Sequence, residues 1–164
     1  MSRCALATVL LVLAACSRAP AAVPTDTGTV VAVIDGDTVD VEVGGRTERV
    51  RLLGIDTPET VDPDRPVECH GPEASALTHS LLPDGTAVRL ERDEEARDRY
   101  GRLLAYVFRV DDGVFVNLTV LAAGEAEILS IEPNHAYAAE LAAAADAARS
   151  AGLGLWGGCP TEGH

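Results

Sequence analysis

The feature that most constrains this chain is a stretch of period-two hydrophobicity over residues 29–55, interrupted twice by turn residues. Residues 29–34 form a β-branched run, and residues 38–43 alternate Val39, Val41 and Val43 against Asp40 and Glu42. Alternation of this kind puts apolar side chains on one face of a strand and polar ones on the other, so both runs read as strands and the second as half-buried. Asp35-Gly36 is a turn signal and Gly44-Gly45 makes the next hairpin turn. A third strand is predicted over residues 47–55.

The pattern then changes. Residues 58–72 hold four prolines and several charges, which predicts a long loop of the functional or mobile kind. Helical spacing follows over residues 73–82, just after Pro72, then strands over 86–91 and 103–110. A short helix is predicted over 116–123, ending at Gly124, and a long Ala-rich helix over 134–150, ending before Gly152. Three meandering strands, a helix, two strands and further helices give the chain order of an OB barrel. The expected class is α+β, mainly β: a five-stranded OB-fold barrel with about three helices. Hydrophobic residues make up 47% but aromatics only 4%, so the core must rest on Val, Leu, Ile and Ala. Such a barrel commonly carries single-stranded nucleic acid, yet fold alone does not assign function.

The first 16 residues read as an export signal and not as part of the fold. Arg3 gives a positive start, and the apolar run over residues 5–15 is too short to span a bilayer. Its end, Leu13-Ala14-Ala15-Cys16, resembles a bacterial lipobox, in which the Cys16 sulfur carries the lipid and anchors the protein to the membrane. The alternative is an ordinary signal with a chance cysteine. Residues 17–27, rich in Ala, Pro and Thr, read as a tether, residues 28–157 as one domain, and 158–164 as a tail. With Cys4 removed and Cys16 lipidated, Cys69 and Cys159 remain as an even pair in an oxidising compartment, which predicts a disulfide. Two free thiols are the rival. Zinc is disfavoured because neither cysteine has a second one at ligand spacing, although His70 and His79 lie nearby.

Two segments carry chemistry: Asp35-Gly36-Asp37-Thr38, and the run from Arg51 through Asp56-Thr57-Pro58-Glu59. Together they place acids and an arginine at the ends of adjacent strands. Phosphodiester hydrolysis requires a positioned, deprotonated water and relief of the charge that builds on phosphate. Asp37 and Asp56 could hold a hard cation through oxygen, Glu59 could act as base, and Arg51 could fork onto phosphate. Arg102, beside Gly101, is a candidate second cation. Singly, each piece is common: Asp-Gly is usually a turn and acid clusters are usually solvated.

In combination these segments resemble the staphylococcal nuclease (thermonuclease) family. The likeness runs over residues 28–156 and continues, in order, through Gly71-Pro72-Glu73-Ala74, Asp98-Arg99-Tyr100-Gly101-Arg102, Leu104-Ala105-Tyr106, Pro133-Asn134 and Leu155-Trp156. It implies an OB-like barrel with three helices that cleaves DNA and RNA with calcium. By motif, Asp37 and Asp56 resemble the metal carboxylates, with Thr57 adding a backbone carbonyl. Glu59 resembles the proposed general base, Arg51 and Arg102 the two catalytic arginines, and Arg99 and Tyr100 positions that touch a terminal phosphate. The implied partner is nucleic acid, single-stranded DNA or RNA favoured, and a monomer is expected.

The departures are informative. Where the family's best-known member has a lysine-rich loop, residues 61–65 are largely acidic, and Leu129 and Ile131 replace two tyrosines that wall its nucleotide pocket. Stacking a base on an aromatic is worth about 1–3 kcal/mol, so substrate hold is expected to be weaker, with Leu129 and Ile131 still giving an apolar wall. The net charge of −13, with 26 acidic residues against 13 basic ones, repels a polyanion at long range. At physiological salt the Debye length is only about 8 Å, so local charge decides. Trp156 reads as a core plug, and the Asn117-Leu118-Thr119 glycosylation pattern is discounted because it falls on a half-buried helix. The competing functional readings are a non-catalytic OB-fold lipoprotein that binds nucleic acid or another ligand, and a structural envelope lipoprotein.

Overall fold

The computed structural model describes residues 25–64 and 66–160. Cys16 and the signal and lipid-anchor readings lie outside the described residues, as does Arg65 of the acidic loop. The five long strands close into a barrel in the order β1 (Thr25–Asp35), β2 (Thr38–Val43), β3 (Arg46–Leu52), β6 (Leu103–Arg109), β5 (Ala87–Glu91). All neighbours are antiparallel except β3 and β6, which run parallel with Val50 opposite Leu103. This mixed, closed five-stranded barrel with its helices is the OB-type, mainly-β architecture expected. Register shifts between Val30 and Ala32 and between Val33 and Asp35 bend β1, as closure of so few strands requires. Gly28 lets β1 and β2 approach closely, since a Cβ there would lie 2.6 Å from the Glu42 carbonyl oxygen.

β1 begins at Thr25, so residues 25–27, read as tether, pair with β5 through Thr25 opposite Glu91, Asp26 opposite Leu90 and Thr27 opposite Arg89. The third predicted strand is two elements. β3 stops at Leu52 and β4 (Gly54–Asp56) leaves the barrel to pair with a short β7 (Glu127–Leu129), Ile55 opposite Ile128. Gly54, at φ 79°, makes the break. Asn117 fastens it: fully buried, it accepts the Val107 N–H at 2.9 Å and donates to the Leu53 carbonyl at 2.8 Å. That burial bears on the glycosylation pattern: the Asn117 side chain is committed inside the core.

Val39, Val41, Val50, Leu52, Leu90 and Leu104 fill the barrel at full burial. Four of the six aromatics are gathered at one place. Tyr106 packs edge-on to Tyr137 at 4.7 Å, and Phe108 stacks on Phe115 at 4.4 Å. Burial pushes the Tyr106 hydroxyl up to about 12, next to Asp93. The helices are α1 (Gly71–Leu81), α2 (Val116–Ala122), α3 (Ala138–Ala151) and the single turn α4 (Leu155–Gly158). α3 starts four residues later than the Ala-rich pattern suggests. Asn134, buried, accepts the Glu95 N–H at 2.9 Å, and Asp93 accepts the Ala136 N–H at 2.8 Å, so the preceding turn is held to the 93–95 loop. Gly152, at φ 64°, ends α3. Trp156 is not the core plug: it is half-buried beneath the Arg149 guanidinium at 4.1 Å, and Leu155, 4% exposed, enters the core.

A disulfide joins Cys69 to Cys159, with Cα atoms 5.9 Å apart across a separation of 90 residues. It ties the end of the Pro-rich loop to α4. Closing a loop of that length predicts that Cys69→Ser with Cys159→Ser lowers unfolding free energy by about 2–3 kcal/mol. Urea denaturation of the oxidised protein and the double variant measures this; equal midpoints would show that the bridge contributes nothing.

Candidate active site

The site is assembled at one end of the β2–β3 hairpin. The register sets Thr38 opposite Arg51, so the first residues of β2 lie against the last residues of β3. Thr78 of α1 fixes the β1–β2 turn by donating its hydroxyl to the Gly36 carbonyl at 2.6 Å. Arg51, 4% exposed, is the hub. Its Nη1 donates to the carbonyls of Leu52 at 3.0 Å and Ile55 at 2.7 Å, which are the carbonyls bracketing the β3–β4 break. Its Nη2 lies 3.1 Å from Asp37 Oδ2 and 2.6 Å from Asp56 Oδ1. Asp37, equally buried, also accepts the Thr38 hydroxyl at 2.9 Å and the Thr57 N–H at 3.0 Å. Asp56 is half exposed. Partial loss of solvent pushes its carboxyl up despite the attraction of Arg51, and Asp37, Glu127 and Glu68 add repulsion.

Glu59 organises the acidic loop. Its Oε1 accepts backbone N–H groups of Thr60, Val61 and Asp62 at 2.9, 2.7 and 3.1 Å. These bonds, the one from Val61 foremost, hold its carboxyl below the usual range, so it is ionised at neutral pH. Its neighbour Asp35 moves the other way, raised mainly by burial although Thr60 donates its hydroxyl to it at 2.6 Å. Arg102 is held by Asp98, with Nε to Oδ2 at 2.7 Å. The exposed ring of Tyr100 lies beneath two guanidiniums, Arg99 at 4.7 Å and Arg102 at 5.5 Å.

All of the expected site side chains border one cleft of about 710 Å³: Arg51, Glu59 and Arg102; Asp37, Asp56 and Thr57; Arg99, Tyr100, Leu129 and Ile131. The cleft also contains Asp35 and Glu68, neither of which had been given a role. Asp35 belongs to the same Asp-Gly-Asp turn as Asp37, so the motif pointed near it. Glu68 carries no sequence signal; it enters because its Oε2 accepts the Glu59 N–H and its own N–H donates to the Glu59 carbonyl, both at 3.0 Å. Among the described residues no group of three or more acid, His or Cys side chains is arranged to hold a metal ion. Asp37 and Asp56 are instead joined through Arg51. Thr57 Oγ1, in the same cleft, is buried without a hydrogen-bond partner. Carboxylates with an orphaned hydroxyl, bordered by arginines, form a surface that can take a cation and a phosphate together.

Comparison with known proteins gives this chain relatives among nucleases. A family model described as staphylococcal nuclease homologue matches residues 49–158. A thermonuclease of Staphylococcus intermedius is 42% identical over 124 residues, covering 76% of this chain and 72% of the relative. A thermonuclease of Staphylococcus hyicus is 39% identical over 127 residues, covering 77% and 73%. The endonuclease YncB of Bacillus subtilis is 40% identical over 125 residues, covering 75% of this chain and 58% of its own length.

The buried Arg51 network makes a prediction independent of activity. Arg51→Met leaves two carbonyls and Asp37 without their donor, so unfolding free energy is expected to fall by about 3–5 kcal/mol. Chemical denaturation tests this, and a loss below about 1 kcal/mol would mean that the network behaves like a surface pair.

Proposed function

The chain belongs to the staphylococcal nuclease family, and from this we propose that it is an exported, calcium-dependent nuclease acting on single-stranded DNA or RNA. Hydrolysis of phosphodiester bonds goes with the family; the metal, the form of the substrate and the location are the finer reading. The observation that carries it is the convergence of Arg51, Glu59 and Arg102 with Asp37 and Asp56 on one cleft.

The donors fit a hard cation: carboxylate oxygens of Asp37 and Asp56, the expected Thr57 carbonyl, and a buried Thr57 hydroxyl lacking a partner. So few protein ligands leave positions for water and phosphate, which suits calcium better than the stricter octahedron of magnesium. When bound, calcium would hold the attacking water and offset the charge that develops on phosphate. Glu59, ionised at neutral pH, would take the proton of that water. Arg51, held in place by two carbonyls and two carboxylates at the edge of the cleft, would offset the charge that builds on the phosphate. Arg102, oriented by Asp98, would stabilise the same oxygens, and Arg99 with Tyr100 would hold a terminal phosphate. Leu129, 36% exposed, and Ile131 give an apolar wall in place of an aromatic one. Together with the acidic loop, this supports a high Michaelis constant rather than a lost activity.

Digestion of single-stranded DNA tests the chemistry. Cleavage is expected with millimolar-range calcium, poorly with magnesium, and not in excess chelator. Arg102→Ala is expected to lower turnover about 10²–10³-fold. Full activity in chelator removes the calcium requirement, and near-normal turnover of a folded Arg102→Ala protein removes its role. A wild-type protein that binds the DNA but leaves it intact under calcium would be a binding module.

Export and lipid anchoring rest on the Leu13-Ala14-Ala15-Cys16 pattern. Cys16→Ser should release or misprocess the protein, seen by membrane fractionation. Wild-type protein found wholly in the medium and cleaved elsewhere would count against the anchor.

A further inference from the structure

A polynucleotide continues on both sides of the bond being cut, so a nuclease cleft must open onto a path for the next nucleotide. Taking the nuclease reading above as given, we propose that the groove beside the catalytic cleft, walled by Arg49 and Tyr100, is a second nucleotide subsite on a polynucleotide substrate. Arg49 would meet the adjoining phosphate and the Tyr100 ring the adjoining base.

The groove has a volume of about 510 Å³ and is lined by Asp40, Thr47, Arg49, Tyr100, Gly101 and Arg102, within the range of small-ligand sites. It is continuous with the catalytic cleft, because Arg49, Tyr100 and Arg102 border both. The strand period explains why. Thr47, Arg49 and Arg51 are alternate residues of β3 and share one face, so Arg51 serves the cleft, Arg49 the junction and Thr47 the groove. Two residues of a strand advance about 7 Å, comparable to one step along an extended nucleic-acid strand. The strand thus roots Arg51 and Arg49 about one nucleotide step apart along its backbone.

Arg49 is built for this task. It is paired with its cross-strand neighbour Asp40, Nε at 2.8 Å and Nη2 at 3.0 Å, which fixes the guanidinium and leaves Nη1 outside the pair. Its side chain is still 49% exposed. Tyr100 is 68% exposed, and a base stacking on its ring would meet the Arg99 and Arg102 guanidiniums that already lie over it. In a chain of net charge −13, residues 46–51 and 97–102 carry Arg46, Arg49, Arg97, Arg99 and Arg102 beside the buried Arg51, a concentration of cations that favours the passage of a polyanion. Asp40 opposes it, and its removal should strengthen binding.

The test compares wild type, Arg49→Ala and Asp40→Asn on a dinucleotide and on a longer oligothymidylate. Michaelis constants with calcium and anisotropy of the labelled oligomer in chelator are both measured across a salt series. Arg49→Ala should raise the Michaelis constant about tenfold more on the oligomer than on the dinucleotide. It should weaken oligomer binding by a similar factor and reduce the salt slope by about 0.7. Asp40→Asn should tighten oligomer binding. An equal change on both substrates, an unchanged salt slope, or no gain from Asp40→Asn overturns the subsite. Failure of the wild type to cleave either substrate defeats the nuclease reading instead, and the anisotropy series still decides whether the groove binds the strand.

Discussion

The guanidinium of Arg51 is the interaction on which the remainder of the structure depends. A buried cation is tolerable only when it is paired and hydrogen-bonded, and here Nη1 and Nη2 meet two main-chain carbonyls and two carboxylates. The carbonyls of Leu52 and Ile55 would otherwise be left without partners where β3 breaks, so the same side chain that would meet phosphate also stabilises the departure of β4 from the barrel. Fold and chemistry are therefore not separable at this residue, and substitutions there act on both.

Around that hub the charges are arranged by environment rather than by number. Asp35 and Glu59 are neighbours, yet burial raises the first while main-chain N–H groups lower the second. Below neutral pH, Glu59 contributes stability that is lost as pH falls through its lowered value, whereas Asp35 works in the reverse sense. The acidic loop, which looks hostile to nucleic acid in the sequence, is wound about the Glu59 carboxylate by its own backbone. Its negative side chains are thus the exterior of a structure whose interior positions one functional group.

The barrel strands were legible because period two is a local property: β2 and β5 fall within a residue of where alternation puts them. That the candidate residues would gather was legible because their motifs sit at strand ends that the register brings together. What escaped depends on contacts distant in sequence. The β3–β4 break needs Asn117, more than sixty residues on, to donate to the Leu53 carbonyl. The late start of α3 follows from Asn134 and Asp93 holding the preceding turn, which no helical pattern reveals. β7 is three residues long, with two of them exposed, and carries too little periodicity to be noticed. Glu68 joins the cleft only because the loop folds back on Glu59. Trp156 misled because a large aromatic near a terminus suggests burial, and Arg149 covers it instead.

The bridge between Cys69 and Cys159 also gives the molecule an unusual covalent outline. Residues 69–159 form a closed ring that holds α1, β5, β6, α2, β7, α3 and α4, while β1 through β4 leave it as a single arm. That arm is gripped on both sides by strands of the ring, β1 by β5 and β3 by β6. One cut by a protease anywhere in the ring, as at the exposed turns around Asp84 or Asp112, would open the circle without dividing the protein. The ring thus converts what would be fragmentation into a nick.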